Sequence, residues 1–434
     1  MGLLARVQGA AYDGGMESNS LCARLDVAWC RRQFPGLQRQ VRGRPAVFFD
    51  GPGGSQVPQR VIDMVAHYLA HANANHGGLF ATSRESDELL DEAHQAVADL
   101  FGAKDPSTII FGPNMTSLTL ALSRALARQW GPGDEVVVTR LDHDANVTPW
   151  VLAARDAGAA VRHVEIRPDD CTLDLEDLAR NLTPRTRCVA VGYASNAVGT
   201  VNPVERIAAM ARAVGALVYV DAVHFAPHGL IDVERLGCDF LVASAYKFFG
   251  PHVGVLWGRR ELLERLPAYK VRPAPESLPG RWMTGTQNHE GIAGAMEAVD
   301  YLAEMGRSVG PPQADRRAAL KAAFAAIAEH ERALANRLLD GLAAMPEVKI
   351  WGIVEPSRRA GRVPTVALTH RRYSPRELAD KLGEQGFFVW HGNFYALPLT
   401  EALGVEPQGL LRVGLLHYNT HEEVDRFLAA MAGL

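Results

Sequence analysis

Apolar residues recur along this chain in two rhythms. Short continuous apolar runs fall at TIIF (108–111), VVVT (136–139), VRHVEI (161–166), CVAVGYA (188–194), LVYVDAV (217–223), FLVASAY (240–246) and GVLWG (254–258). Such runs, rich in Val, Ile and Leu, read as strands covered on both faces. Among them, apolar positions three and four apart predict helices over 87–101, 115–129, 146–157 and 204–214. Strands alternating with amphipathic helices make an α/β fold with a sheet buried between helical layers.

The flanking regions extend this pattern. Residues 24–35 predict a short helix closed by Pro35, followed by a strand at 46–50 and the turn-rich GPGGSQVP; a helix then runs from Pro58 to about 70. The proline-rich VRPAPESLPG (271–280) breaks the alternation as a loop. Beyond it, 313–345 predicts a long Ala-rich helix with Leu320, Phe324, Ile327, Leu334, Leu338 and Leu342 on one stripe. VPTVALT, a helix at 374–385, GFFVW, LLRVGLL and a helix at 420–432 then form a smaller α/β unit. We expect a flexible extension at 1–22, a large domain at 45–300, and a small domain made of 23–44 plus 301–434. A chain of 434 residues exceeds one ordinary core and suits this division.

Composition removes several classes of function. A formal net charge of −4, without a Lys/Arg cluster, gives no electrostatic footing for nucleic acid or an acidic membrane. No uncharged apolar run approaches the roughly 20 residues that span a bilayer, and the N-terminal apolar stretch is too short for a signal peptide. The five cysteines are widely spaced and form no C-x-x-C. A reducing, cytoplasmic setting fits them better than a disulfide framework, and no metal site is expected.

The chemistry begins at two strand ends. VDAVH (220–224) carries Asp221 and SAYK (244–247) carries Lys247, each directly after an apolar run. In open α/β sheets the carboxyl ends of strands face the ligand crevice. Pyridoxal phosphate needs a lysine amine for its Schiff base and a carboxylate at its ring nitrogen. A strand–turn–helix at 109–126 adds a helix N-terminus as a phosphate seat, with Asn114 and Thr116 as further donors. His143, again just past a strand, has no second histidine at ligand spacing and suits stacking on a flat cofactor.

In this order the elements resemble class V aminotransferases, and within them the cysteine desulfurase-like group. The matching text is NAN-HGG (73–78), DHDANVTPW, YASNAVGTVNP (193–203), VDAVH, CDFLVASAYKFFGPHVGVLWGR (238–259), GTQNHE (285–290) and LLRVGLLHYNTHEEVDRF (410–427), so the likeness runs from about residue 24 to the C-terminus. The resemblance implies a fold type I pyridoxal-phosphate enzyme, with a mainly parallel seven-stranded sheet and a smaller C-terminal α/β domain. It implies Lys247 as the Schiff-base lysine, Asp221 at the pyridine nitrogen and His143 on the ring face. Asn196 and His224 would lie near the ring hydroxyl. Asn114, Met115, Thr116, Ser244 and Tyr246 would hold the phosphate. Gly285 and Thr286 would reach a neighbouring subunit's phosphate, which implies a homodimer. Arg412 would grip the substrate carboxylate, with Asn73, His76 and Tyr395 on the substrate side.

The departures bear on the reaction. Persulfide-forming relatives carry a nucleophilic cysteine on the loop before the Arg412 strand. Here that loop reads WHGNFYALPLTEALG (390–404), Tyr395 falls at the aligned position, and no cysteine follows Cys238. Tyr246 stands where relatives have His, His224 where many have Gln, and Gly77 or Gly78 where an arginine is usual. The expected activity is therefore chemistry at the Cα of an amino acid, with α,β-elimination from a cysteine-like substrate, a C–S lyase reaction, as first choice. Aminotransferase, epimerase and decarboxylating deaminase activities are the alternatives on this scaffold. Cysteine desulfuration is disfavoured by Tyr395, and a non-catalytic binding protein is disfavoured by the intact Lys247, Asp221, His143 and Arg412 set.

Overall fold

The computed structural model describes residues 24–434; the extension expected at 1–22 lies outside the described residues. Its centre is a seven-stranded sheet. In chain order the strands are β1 (Ile109–Gly112), β2 (Glu135–Thr139), β3 (Ala160–Val164), β4 (Thr186–Gly192), β5 (Leu217–Asp221), β6 (Phe240–Ser244) and β7 (Gly254–Gly258). In space they run β1-β7-β6-β5-β4-β2-β3. Only β7 is antiparallel to its neighbours; the other pairs are parallel. The sheet is thus mainly parallel, as the apolar runs required.

Alternation along each strand divides the core in two. Val137, Val189, Val220, Leu241 and Val255 join one apolar cluster. Val136, Val138, Ala190, Tyr219, Phe240, Val242 and Leu256 join the other, on the opposite face. Side chains of period two pointing into two separate cores are what a doubly covered sheet produces.

A second sheet of four antiparallel strands comprises β8 (Val348–Trp351), β9 (Thr365–His370), β10 (Trp390–Gly392) and β11 (Leu410–Gly414), in the order β8-β9-β11-β10. Its core joins Val366, Leu368, Leu411 and Val413 to Leu334, Leu338 and Leu342 of the helix Arg316–Ala343 and to Phe427 of the helix His421–Ala432. The run GFFVW divides between two partners. Phe387–Phe388 pairs with Val47–Phe48, while Trp390 begins β10. Asp50 closes the 46–50 segment by bridging to Gly414.

The pattern missed one large element, the helix His289–Val309. Ala293, Gly294, Ala295, Ala298, Val299, Leu302 and Ala303 are all buried, so it is covered nearly all round. Its polar face is only a narrow stripe of Glu290, Glu297, Asp300, Glu304 and Arg307, and the Gly and Ala around it leave the apolar side faint in the sequence. It also runs unbroken through residue 300, where the domain division was expected. Cys30, Phe34 and Leu37 pack in one cluster with Phe249, Tyr301 and Tyr418. The helix expected from residue 87 begins earlier, in Ala81–Phe101.

Candidate active site

The parallel strands deliver the candidate residues to one edge of the sheet. Asp221 ends β5, and Ser244 ends β6, one turn before Lys247 in the 3-10 turn Ala245–Lys247. His143 and Asn196 follow β2 and β4. Asn114 follows β1 and caps the helix Met115–Ala127 by accepting the Ser117 N–H at 2.9 Å. Ser244 is fully buried, and its Oγ accepts the Met115 N–H at 3.1 Å, which ties the end of β6 to that helix N-terminus. Thr116 lies exposed beside them.

Lys247 is held by backbone. Its Nζ donates to the Pro52 carbonyl and, at 3.0 Å, to the Gly53 carbonyl, both from the Gly-Pro turn after Asp50. Burial and the Arg412 charge push its ammonium down to about 7, against the attraction of Asp221 and Asp50. Asp221 is buried; one oxygen accepts the Val223 N–H at 2.9 Å, and desolvation pushes the carboxyl up to about 6. His143 accepts the Ala145 N–H on Nδ1 at 3.0 Å, which leaves the proton on Nε2. Desolvation, Lys247 and Arg412 push it down to about 4, so the imidazole is neutral near pH 7.

Arg412 is buried on β11 and donates to the Asn196 carbonyl at 2.8 Å. Its guanidinium lies 4.1 Å above the Phe394 ring, and its Nε has no partner. The Asn196 amide donates to the Phe394 carbonyl at 2.9 Å, while its own oxygen is buried and unpartnered. His224 is buried with Nε2 2.9 Å from the Thr365 hydroxyl. Beyond it His228 meets the buried Glu331 at 2.8 Å, which joins the site to the long helix. Tyr246 stacks on His252 at 4.9 Å, and the Lys247 ammonium lies 4.9 Å from its ring centroid.

Other expected members stand apart. Asn73 and His76 are exposed. The ring nearest His76 is His289, at 6.1 Å, and neither residue has a hydrogen bond or ring contact with Lys247, Asp221, His143 or Arg412. Gly285 and Thr286 are exposed just ahead of the helix His289–Val309. Tyr395 is close to the site: its ring stacks on His143 at 5.4 Å, and its carbonyl accepts the Asp144 N–H at 2.7 Å. Among the described residues no group of three His, Cys, Asp or Glu side chains is placed to hold a metal ion. No described helix is long and apolar enough to cross a membrane.

Sequence reasoning missed Asp50, Asp142, Phe394 and Trp390. Asp50 is a half-buried residue whose carboxyl desolvation pushes up to about 6, close enough to Arg412 and Lys247 to feel both charges. The signal was available, since VFFD-GP repeats the pattern of an acid at the end of an apolar run that marked Asp221. Asp142 accepts the Gly192 N–H at 2.9 Å and the Asn146 amide at 3.0 Å, and burial pushes it up to about 7.

A nucleophilic amine, a buried carboxylate, a flat neutral imidazole and a helix N-terminus with a serine hydroxyl together form the donor set for pyridoxal phosphate. The buried, unpartnered Asn196 oxygen and Arg412 Nε supply further polar atoms for an amino-acid ligand. Comparison with known proteins agrees. The family model described as aminotransferase class V matches residues 47–427. The chain belongs to the class V aminotransferases.

This class V chain is 30% identical to a cysteine desulfurase of Serratia proteamaculans over 92% of its length and 96% of the relative. It is 32% identical to a probable cysteine desulfurase of Mycolicibacterium paratuberculosis, over 94% of this chain and 58% of that one. Among solved structures it resembles the apo cysteine desulfurase of Thermococcus onnurineus NA1, with a TM-score of 0.83, 26% identity and coverage of 96% and 100%. The Escherichia coli cysteine desulfurase CsdA (S-sulfonic acid) gives 0.80, 27%, and coverage of 95% and 98%. The chain is thus a fold type I, pyridoxal-phosphate-dependent enzyme of the cysteine desulfurase-like group. The relatives' names favour cysteine desulfuration over the elimination chosen from the sequence.

Proposed function

We propose that this enzyme cleaves the C–S bond of a cysteine-type amino acid. The observation that carries the reading is the meeting of Lys247, Asp221, His143 and Arg412 at one sheet edge. Bound pyridoxal phosphate supplies an electron-accepting ring conjugated to the substrate's amino group. The Met115 and Thr116 end of the helix and the Ser244 hydroxyl hold its phosphate. Asp221 keeps a proton at the ring nitrogen, and the neutral imidazole of His143 offers a flat face. Asn196 and His224 lie on the ring-hydroxyl side, with Tyr246 as a further phosphate donor. Arg412 grips the substrate carboxylate with its planar fork. Lys247, whose amine is half deprotonated near pH 7, takes the proton from Cα.

Two fates of the sulfur are distinguished by a nucleophile. Elimination is supported by the loop, where Tyr395 stands at the aligned cysteine position and no cysteine follows Cys238. Desulfuration is supported by the names of the relatives, and here it needs a thiol from outside the loop. Incubation of the holoenzyme with cysteine separates them. Pyruvate with ammonia marks elimination, alanine with sulfide or persulfide marks desulfuration, and the absence of both pairs of products from cysteine and from its S-substituted forms refutes the proposal. We further place the enzyme in the cytoplasm as a homodimer, with Gly285 and Thr286 facing the partner's phosphate. Thr286→Ala lowering cofactor affinity in a dimer of stable mass is the expected result; a monomer at assay concentration overturns that arrangement.

A further inference from the structure

Three aromatic side chains lean on three different members of the site. The Trp390 indole lies against Gly53, so closely that a Cβ there would meet its Nε1 at 2.6 Å, and Gly53 supplies a carbonyl to Lys247. Trp390 also sits opposite Arg412 in the β10–β11 register. Phe394 carries the guanidinium of Arg412 on its ring face, and Tyr395 stacks on His143. Phe394 serves Arg412, whereas Trp390 and Tyr395 are 52% and 73% exposed.

This arrangement is held at a cost. Phe394 and Tyr395 have φ of 56° and 58°, two consecutive bulky residues in the left-handed region. The Asn196 amide, the Asp144 N–H and the Asn393 side chain hold the turn through hydrogen bonds of 2.9, 2.7 and 3.1 Å. Packing does not account for Tyr395, whose ring is mostly in solvent. A rigid aromatic face fixed at the mouth of a site is suited to a flat apolar ligand group.

The sulfur gives a second, independent constraint. The described cysteines Cys30, Cys171, Cys188 and Cys238 are all buried in apolar surroundings. None of them is a thiolate that could receive sulfur at the site. A sulfur that is not handed to one of these described cysteines departs with whatever group it already bears.

We propose that the substrate is a cysteine thioether whose sulfur bears a flat apolar, preferably aromatic, group, received between Trp390 and Tyr395. This rests on the C–S cleavage reading above. In RS–CH2–CH(NH3+)–COO−, the Cα–H and Cβ–S bonds break. The proton goes to the Lys247 amine, the sulfur keeps the bonding pair, and it leaves as RSH after taking up a proton. Water converts the remaining 2-aminoacrylate into pyruvate and ammonium, and no oxidant or reductant takes part.

The test compares S-benzyl-cysteine with S-methyl-cysteine on the holoenzyme, by pyruvate release and by calorimetric binding. We expect a benzyl preference of about tenfold in kcat/KM, the scale of one aromatic contact plus its buried area. Trp390→Leu and Tyr395→Asn, the latter keeping a residue tolerant of the left-handed turn, should each bring the ratio to within about threefold. Cleavage of cysteine with a wild-type ratio near one overturns this inference and leaves the C–S reading intact. If no substrate is cleaved, that reading falls, and calorimetry alone decides the aromatic mouth: tighter benzyl binding supports it and equal binding overturns it.

Discussion

Gly254 opens β7 opposite both Gly112 and Ser244, so the strand presses on the turn that heads the helix Met115–Ala127, the proposed phosphate seat. A Cβ at Gly254 would lie 2.3 Å from the Asn114 carbonyl carbon, 2.6 Å from its Cα and 2.7 Å from its oxygen. All three are backbone atoms, so no side chain can swing away. Ordinary contact needs about 3.5 Å, so Gly254→Ala must displace the Asn114 backbone or β7 by about 1 Å. Overpacking of this kind costs about 1–3 kcal/mol, read as a lower urea midpoint. The same shift misaligns the Met115 and Thr116 amides. A hydrogen bond to a charged group is worth about 1.5–3 kcal/mol, so pyridoxal phosphate should bind about 10- to 100-fold more weakly. Absorbance titration of the apoprotein measures this, beside pyridoxal without its phosphate, which should lose less than about threefold. Equal losses for both ligands, or none for either, would refute the assignment of this turn to the phosphate.

Three other expectations follow from the same geometry. Lys247 titrates near 7, so its neutral, nucleophilic form gains about tenfold per pH unit below 7 and levels off above it; the rate of apoenzyme reconstitution should follow that curve, and a rate still climbing from pH 8 to 10 would contradict it. Phe394→Gly relieves about 1 kcal/mol of left-handed strain but removes the ring beneath Arg412, so stability should hold while KM for the amino acid rises more than kcat falls; a lowered urea midpoint with unchanged KM would assign Phe394 to packing alone. Arg412 is buried, so its grip on a carboxylate is little screened by salt, and KM should change less than about twofold between low and high ionic strength; a steep rise in KM would place the contact on an exposed surface.

What the sequence disclosed depended on periodicity. Six strands of the large sheet were legible as bounded apolar runs, the edge strand β3 less cleanly because it carries Arg162 and His163, and Asp221 and Lys247 were legible because one ends and the other closely follows such a run. The helix His289–Val309 was not, because its polar stripe is narrow and its apolar side is largely Gly and Ala. Val348–Trp351 was missed for the opposite reason: its alternating VKIW is short and half exposed. Among site residues, Arg412 and Asn196 came from the resemblance and His143 from its place just past a strand, and the three meet through the Phe394–Tyr395 turn. That turn could not be read beforehand, since nothing in NFYA announces two left-handed aromatic residues where Gly or Asn is usual. Asp50 was readable and overlooked, because the glycine-rich turn after it drew attention to backbone instead of to the acid.

Asp50 also changes the electrostatic account of the site. Asp50 and Asp221 are pushed up to about 6, Lys247 down to about 7 and Arg412 down to about 9. Desolvation is the largest cause for all four, and it moves each toward its neutral form. Asp221 and Asp50 both raise Lys247, while Arg412 lowers it, so the amine is poised between two acids and a cation. Among the described residues, removing Asp50 would leave Arg412 without the carboxylate that attracts it and Lys247 with one acid instead of two. The expected pair of Lys247 and Asp221 is therefore half of a four-charge cluster, and the second half, Asp50 with Arg412, couples the amine to the residue we propose for the substrate carboxylate.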